Sequence, residues 1–211
     1  LEVNFTSKVD VFVSFEGPEA SGKSSQINLL SKYLKSIKIS HIITREPGGT
    51  KISEKLRKII LDKKEKISQT EEILMLMSAR LNHINNVILP ALKNNKLVIT
   101  DRFADSTFVY QGYVNNYGMI KAKKLHKQIL NNFLPSKTFL FLLPSYMIKE
   151  RLKKRKIFNK YDKLNLSFHD KVIQGYKILA KNNKRFVKID ASQTIDVVHN
   201  KIIKNLFNTN E

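Results

Sequence analysis

The most specific chemistry in this 211-residue chain lies in Gly17-Pro18-Glu19-Ala20-Ser21-Gly22-Lys23-Ser24. The segment reads G-x-x-x-x-G-K-S. In that spacing glycines free backbone N–H groups to wrap phosphates, and the helix that follows adds its positive end. Lys23 is placed to reach the β- and γ-phosphates and the Ser24 hydroxyl to ligate Mg²⁺, so all eight residues are expected to hold ATP. A Gly-rich turn without function is the plain alternative, and the strand and helix patterns on either side argue against it. The motif is silent on the acceptor.

A second pair stands at Asp101-Arg102. A carboxylate at the end of a neighbouring strand sits where Mg²⁺ or its waters are held, and an arginine beside it can grip a second phosphate with two parallel hydrogen bonds. A local ion pair is the competing reading.

These groups need a scaffold. Short apolar runs at Val9–Phe15, Ile39–Thr44, Leu97–Thr100, Thr138–Leu143 and Phe186–Ile189 read as strands, several of them continuously apolar, as in a parallel sheet buried on both faces. Helical spacing separates them: Ile27, Leu30 and Leu34; then Ile52, Leu56, Ile59 and Ile60; then Leu74, Met77, Leu81, Ile84 and Ile88 before Pro90. The alternation predicts an α/β fold, a three-layer doubly wound sheet of five parallel strands flanked by helices. One domain is expected over 9–211, with 1–8 as an N-terminal extension or disordered leader.

Composition prunes the functions. The chain carries 38 Lys+Arg against 18 Asp+Glu, a formal charge of +20. That excess invites a nucleic-acid partner, yet it consists of 31 Lys and only 7 Arg, alongside 23 Ile and 19 Asn, as an A/T-rich coding sequence produces. Phe and Tyr are not interleaved with Arg as a stacking surface requires. With 0 Cys there is no disulfide framework, thiolate nucleophile or Cys zinc site. No apolar run is long enough to span a bilayer and residues 1–8 hold no apolar signal core. The expectation is a cytoplasmic protein with neither nucleic-acid nor membrane partner.

On the acceptor side the sequence resembles the bacterial type of thymidylate kinase. Thr44-Arg45-Glu46-Pro47-Gly48-Gly49-Thr50 matches that family's T-R-E-P-G-G-T segment. Asp101-Arg102, Ser106-Thr107 and Tyr110-Gln111-Gly112 match its D-R-x-x-x-S-x-x-A-Y-Q-G block, with Val109 for the usual Ala. Ser78-Ala79-Arg80 and Ile189-Asp190-Ala191 match two further stretches. The resemblance implies the P-loop nucleotide kinase fold, Mg²⁺ as cofactor, ATP as donor, dTMP as acceptor and a homodimer formed through the helices before Arg80 and after Ser106. It implies that Glu19 lies near the acceptor's sugar and phosphate, and that Arg102 grips that phosphate. Arg80 would read the thymine edge, with Thr107 near the base and Tyr110 against the sugar, where it disfavours a 2′-hydroxyl. Pro47, Leu76 and Gln111 complete the expected substrate site, Lys23, Arg102 and Arg155 the catalytic set, and Ser24 and Asp101 the metal site. Leu76 stands where the family carries an aromatic, and Tyr113-Val114-Asn115-Asn116 replaces its usual G-R after Tyr110-Gln111-Gly112.

A basic lid is expected at about 149–167, with Arg151, Arg155 and Lys160 as its candidate cations; Lys160 keeps charge where the family has Arg but lacks the planar fork. Two other readings stay open. One is a kinase for another nucleoside monophosphate or a deoxynucleoside. The other is a GTP-binding switch, to which Asn159-Lys160-Tyr161-Asp162 offers an N-K-x-D pattern away from the buried strand it should follow.

Overall fold

The computed structural model describes residues 12–62, 64–153 and 165–207. Its centre is an all-parallel sheet in the order β2-β3-β1-β4-β5. The strands are β1 (Phe12–Glu16), β2 (His41–Arg45), β3 (Leu97–Asp101), β4 (Lys137–Leu142) and β5 (Phe186–Asp190). Successive side chains feed opposite faces, which is why the apolar runs are continuous. Phe12, Val98 and Leu140 join one core with Ile73, Met77 and Tyr176. Val13, Phe15, Ile99, Phe139 and Phe141 join the other with Leu30, Leu34 and Ile202. Each such side chain contributes roughly 1.5–3 kcal/mol on burial.

Five strands appear where the apolar runs predicted them, with shifted ends. Residues 9–11 of the first run, and the leader at 1–8, lie outside the described residues. Ile39 is no strand residue: its N–H donates to the Leu34 carbonyl (2.8 Å) and closes the end of α1 (Lys23–Ser36), so β2 begins at His41.

The helix before Pro90 needs a larger correction. Ser68 and Glu71 form a reciprocal capping box that starts α3 (Gln69–His83), which follows α2 (Lys51–Leu61). Its chain then widens into a π-helical turn at Ile84–Ile88 and continues as α4 (Leu89–Lys93), with Pro90 in that first turn, where a missing N–H is tolerated. The apolar spacing holds at Met77, Ile84 and Ile88, which are buried, and fails at two of its five positions. Ile73, Met77 and Arg80 face inward, whereas Leu74 and Leu81 are 47% and 40% exposed. On α2, Ile60 is buried while Ile52 and Ile59 are exposed.

The chain runs from β1 outward to β2 and β3 on one side and to β4 and β5 on the other. The carboxyl end of β1 is therefore a topological switch point, where doubly wound sheets bind ligands. After β3 the chain forms α5 (Ala104–Thr107), a π-helical segment at Phe108–Val114 and α6 (Met119–Leu130). After β4 come α7 (Ser145–Lys153) and α8 (Leu166–Leu179), and α9 (Ile195–Phe207) closes the described fold.

Candidate active site

The glycine motif forms the turn from β1 into α1. Gly17 has φ 137°, and a Cβ there would lie 2.3 Å from the Phe141 carbonyl oxygen, so the loop can approach β4 only without a side chain. Lys23 curls back over the loop, donating to the carbonyls of Gly17 (3.1 Å) and Pro18 (2.7 Å) and to Ser21 Oγ (3.1 Å). Burial, then the nearby Arg102 charge, lowers its pKa to about 8. Ser24 Oγ donates to Asp101 Oδ2 at 3.1 Å. Adjacent oxygens around Mg²⁺ stand about 3 Å apart in an octahedron of 2.0–2.1 Å bonds, and both groups are hard oxygen donors. Ser24 and Asp101 thus fit the metal named for them.

Beside this loop opens a cavity lined by Glu19, Pro47, Leu76, Arg80, Arg102, Thr107, Tyr110 and Gln111, every residue expected to touch the acceptor. Asp101 reaches it too. Four of the six described arginines line it, because Arg45 and Arg57 join Arg80 and Arg102. The last two were expected from sequence; Arg57, tied to the Pro47 carbonyl at 2.7 Å, was not.

Arg102 forms the junction. Its Nη2 donates to Glu19 Oε1 (3.0 Å) and Tyr110 Oη (3.3 Å), its Nη1 to Ser106 Oγ (3.0 Å) and Tyr176 Oη (3.3 Å). Tyr110 Oη also donates to Glu19, 2.9 Å from each carboxylate oxygen. The backbone at Arg102 is left-handed, φ 69°, which costs a non-glycine residue about 1 kcal/mol or more. Glu16 braces that turn. Its carboxylate accepts from the Phe103 N–H (2.7 Å), Ser106 Oγ (2.7 Å) and Tyr176 Oη (2.8 Å). Glu16, like Asp101, is a charge at the end of a buried apolar strand, which is the signal that marks it.

Burial, then repulsion from Asp105, raises the Glu16 pKa to about 7 against 4.5. A raised carboxyl favours the folded state most below pH 4.5, and that advantage is lost as pH rises through about 7. The stability of wild type relative to Glu16→Gln should therefore fall by about 3 kcal/mol between pH 4.5 and pH 8. Urea unfolding of both proteins across that range measures it, and a difference that is flat or grows with pH would contradict the assignment.

The far end of the cavity is held by a relay from β2 to the helix after β3. Thr44 Oγ1 is hydrogen-bonded to His83 Nε2 (2.6 Å), and His83 Nδ1 to Glu46 Oε1 (3.0 Å). Glu46 Oε2 accepts from Arg80 Nε (2.7 Å), and Arg80 Nη2 donates to Thr107 Oγ1 (2.8 Å). The Glu46-Pro47 peptide is cis. Gly49, at φ 85°, leaves room for the His83 ring, since a Cβ there would sit 2.6 Å from it. Arg80, 2% exposed, thus carries a fixed guanidinium into the cavity wall.

Of the lid residues, Arg151 is described. It donates to the Ala20 carbonyl (3.3 Å) and the Ala191 carbonyl (2.9 Å), tying α7 to the phosphate loop and to the turn after β5. Arg155, Lys160 and the N-K-x-D pattern at 159–162 lie outside the described residues.

A parallel sheet whose first strand empties into a G-x-x-x-x-G-K-S loop, with an arginine-lined cavity beside that loop, defines the P-loop nucleotide kinases. The comparisons give the family. A family model described as thymidylate kinase matches residues 15–202. Thymidylate kinase of Thermoanaerobacter sp. (strain X514) is 39% identical over 194 residues, covering 91% of this chain and 95% of its own. That of Sulfurihydrogenibium sp. (strain YO3AOP1) is 40% identical over 197 residues, covering 92% and 96%. The crystal structure of thymidylate kinase from Ehrlichia chaffeensis superposes with a TM-score of 0.74 at 30% identity, covering 93% of this chain and 97% of that one. The chain belongs to the thymidylate kinase family.

Proposed function

We propose that the chain transfers the γ-phosphoryl group of ATP to dTMP, giving dTDP and ADP, in dTTP synthesis. The observation that carries this reading is the position of Arg102. It stands between the phosphate loop, through Glu19, and a cavity whose far wall is the Arg80–Thr107 pair. One arginine can hold an acceptor phosphate at the ATP end while the base reaches the other.

The loop residues 17–24 hold the ATP phosphates, with Lys23 on the β- and γ-oxygens. Ser24 and Asp101 would hold Mg²⁺, which would supply neutralisation of the phosphate charge. Arg102 aligns the acceptor phosphate, and Glu19 and Tyr110, bonded to one another, face the sugar. Arg80 donates to the carbonyl oxygen of the base edge, and Leu76 supplies an apolar face. Phosphoryl transfer is mostly positioning and charge neutralisation, so the lid contributes cations; Arg155 is our choice for the transition state and Lys160 the second candidate, while Arg151 ties α7 to the phosphate loop. A homodimer is supported by apolar side chains exposed seven residues apart on two helices, Ile52 and Ile59 on α2 and Leu74 and Leu81 on α3. Among the described residues no helix is long and apolar enough to cross a membrane. A cytoplasmic location is the one we propose, since it suits substrates of this kind.

A panel of nucleoside monophosphates with ATP and Mg²⁺, read by ADP release, tests the assignment. dTMP should be turned over fastest and dUMP about 10-fold slower for want of one methyl group. Preference for a purine monophosphate would overturn the thymidylate assignment and leave the fold intact.

A further inference from the structure

Two cross-helix hydrogen bonds frame the base end of the cavity. Glu72, Leu76 and Arg80 succeed one another at four-residue spacing on α3 and are all buried. Thr107 and Gln111 stand four residues apart on the facing helical segment, also buried. Arg80 Nη2 donates to Thr107 at one corner, and Gln111 Nε2 donates to Glu72 Oε1 (2.7 Å) at the other, with Leu76 between. Leu76, Arg80, Thr107 and Gln111 line the cavity; Glu72 stands behind Gln111.

A glutamine side chain carries a donor and an acceptor on one rotatable amide, so an unrestrained glutamine accepts either complement. A carboxylate oxygen only accepts. Against Glu72, Gln111 must therefore turn its NH₂ group toward α3, leaving Oε1 for whatever enters the cavity. That Oε1 has no hydrogen-bond donor among the described residues.

We propose that Glu72 is a selectivity-determining positioning residue, which locks Gln111 as an acceptor and so favours bases presenting a ring N–H over cytosine. This rests on reading the cavity as the acceptor's base site. Thymine and uracil present a carbonyl beside a ring N–H, complementary to the Arg80 donor and the Gln111 acceptor. Cytosine presents an amino group beside an unprotonated ring nitrogen, and meets donor with donor and acceptor with acceptor. A buried mismatch of this kind costs about 10- to 100-fold in selectivity. Glu72 governs the Gln111 half of that discrimination, and Arg80 governs the rest.

Glu72→Gln is nearly isosteric but can itself donate, which lets the Gln111 amide turn over. The test measures kcat/KM for dTMP and dCMP, KM for ATP, and calorimetric affinity for both monophosphates without ATP, in wild type and variant. The expected result is a dTMP-to-dCMP preference lowered about 10-fold, chiefly by a gain for dCMP, with KM for ATP unchanged. A preference that stays within 2-fold of wild type, or equal losses for both nucleotides, would overturn the proposal. Gln111→Leu provides the second arm: it should lower the same preference by losing dTMP without gaining dCMP, and an unchanged preference there would also overturn it. Wild-type turnover of dTMP tests the activity by itself, and the calorimetric ratio tests the Glu72 assignment even where turnover is absent.

Discussion

Replacing Lys23 with alanine is expected to lower kcat by about 10³-fold while leaving the unfolding transition and the affinity for dTMP nearly unchanged. The phosphate loop supplies neutral N–H donors; Lys23 is its one positive charge, and its ammonium is held 2.7–3.1 Å from two loop carbonyls and Ser21. Preorganised charge of this kind, aimed where negative charge develops, contributes 10²–10³-fold per group in comparable sites. The acceptor cavity is lined by other residues, so dTMP binding should survive. Because burial lowers the Lys23 pKa of the free site to about 8, the ammonium form is lost above that pH, and wild-type kcat/KM for ATP should fall there. Single-turnover rates of the variant at pH 7, with calorimetry for dTMP, check the first point; a kcat within 10-fold of wild type would remove Lys23 from the chemistry.

The second large effect is expected at Arg102. Arg102→Lys keeps the charge but loses the planar fork that serves four partners, Glu19, Ser106, Tyr110 and Tyr176. An ammonium on that stem can satisfy fewer of them and cannot hold a phosphate with two parallel bonds. Lysine also meets the left-handed backbone at φ 69° no better than arginine, so the brace from Glu16 stays in use. The predicted outcome is a fall of about 10²-fold in kcat/KM for dTMP, most of it in kcat as the acceptor phosphate loses alignment, with KM for ATP within a few-fold of wild type. Steady-state kinetics with each substrate varied separately distinguish this from general damage, which would move both substrates together.

The parts of this site legible in the sequence are those written in contiguous residues. The loop from Gly17 to Ser24 announces itself by spacing, Asp101 and Arg102 by their place at a strand end, and the strands by unbroken apolar runs. The supports could not be read in the same way. Thr44, Glu46 and His83 are separated by as many as 39 residues yet form one hydrogen-bonded relay, and nothing in their local pattern marks them as partners. Glu72 looks like an ordinary polar position until tertiary packing buries it. The periodicity of α3 misled at Leu74 and Leu81, though not at Met77, for a related reason: the helix carries two apolar stripes, and spacing alone does not say which faces the sheet. Scarcity of arginine proved the better guide, since four of the six described arginines line one cavity whereas the lysines are spread along the chain.

One measurement bears most directly on the central claim. Purified protein is incubated with equimolar ATP and dTMP in Mg²⁺ buffer, and the nucleotides are resolved by anion-exchange chromatography. The account predicts that ADP and dTDP appear together in equal amounts, and that the Lys23→Ala protein forms neither at a comparable rate. ADP formed while dTMP remains unchanged, or no ADP at all, would contradict it.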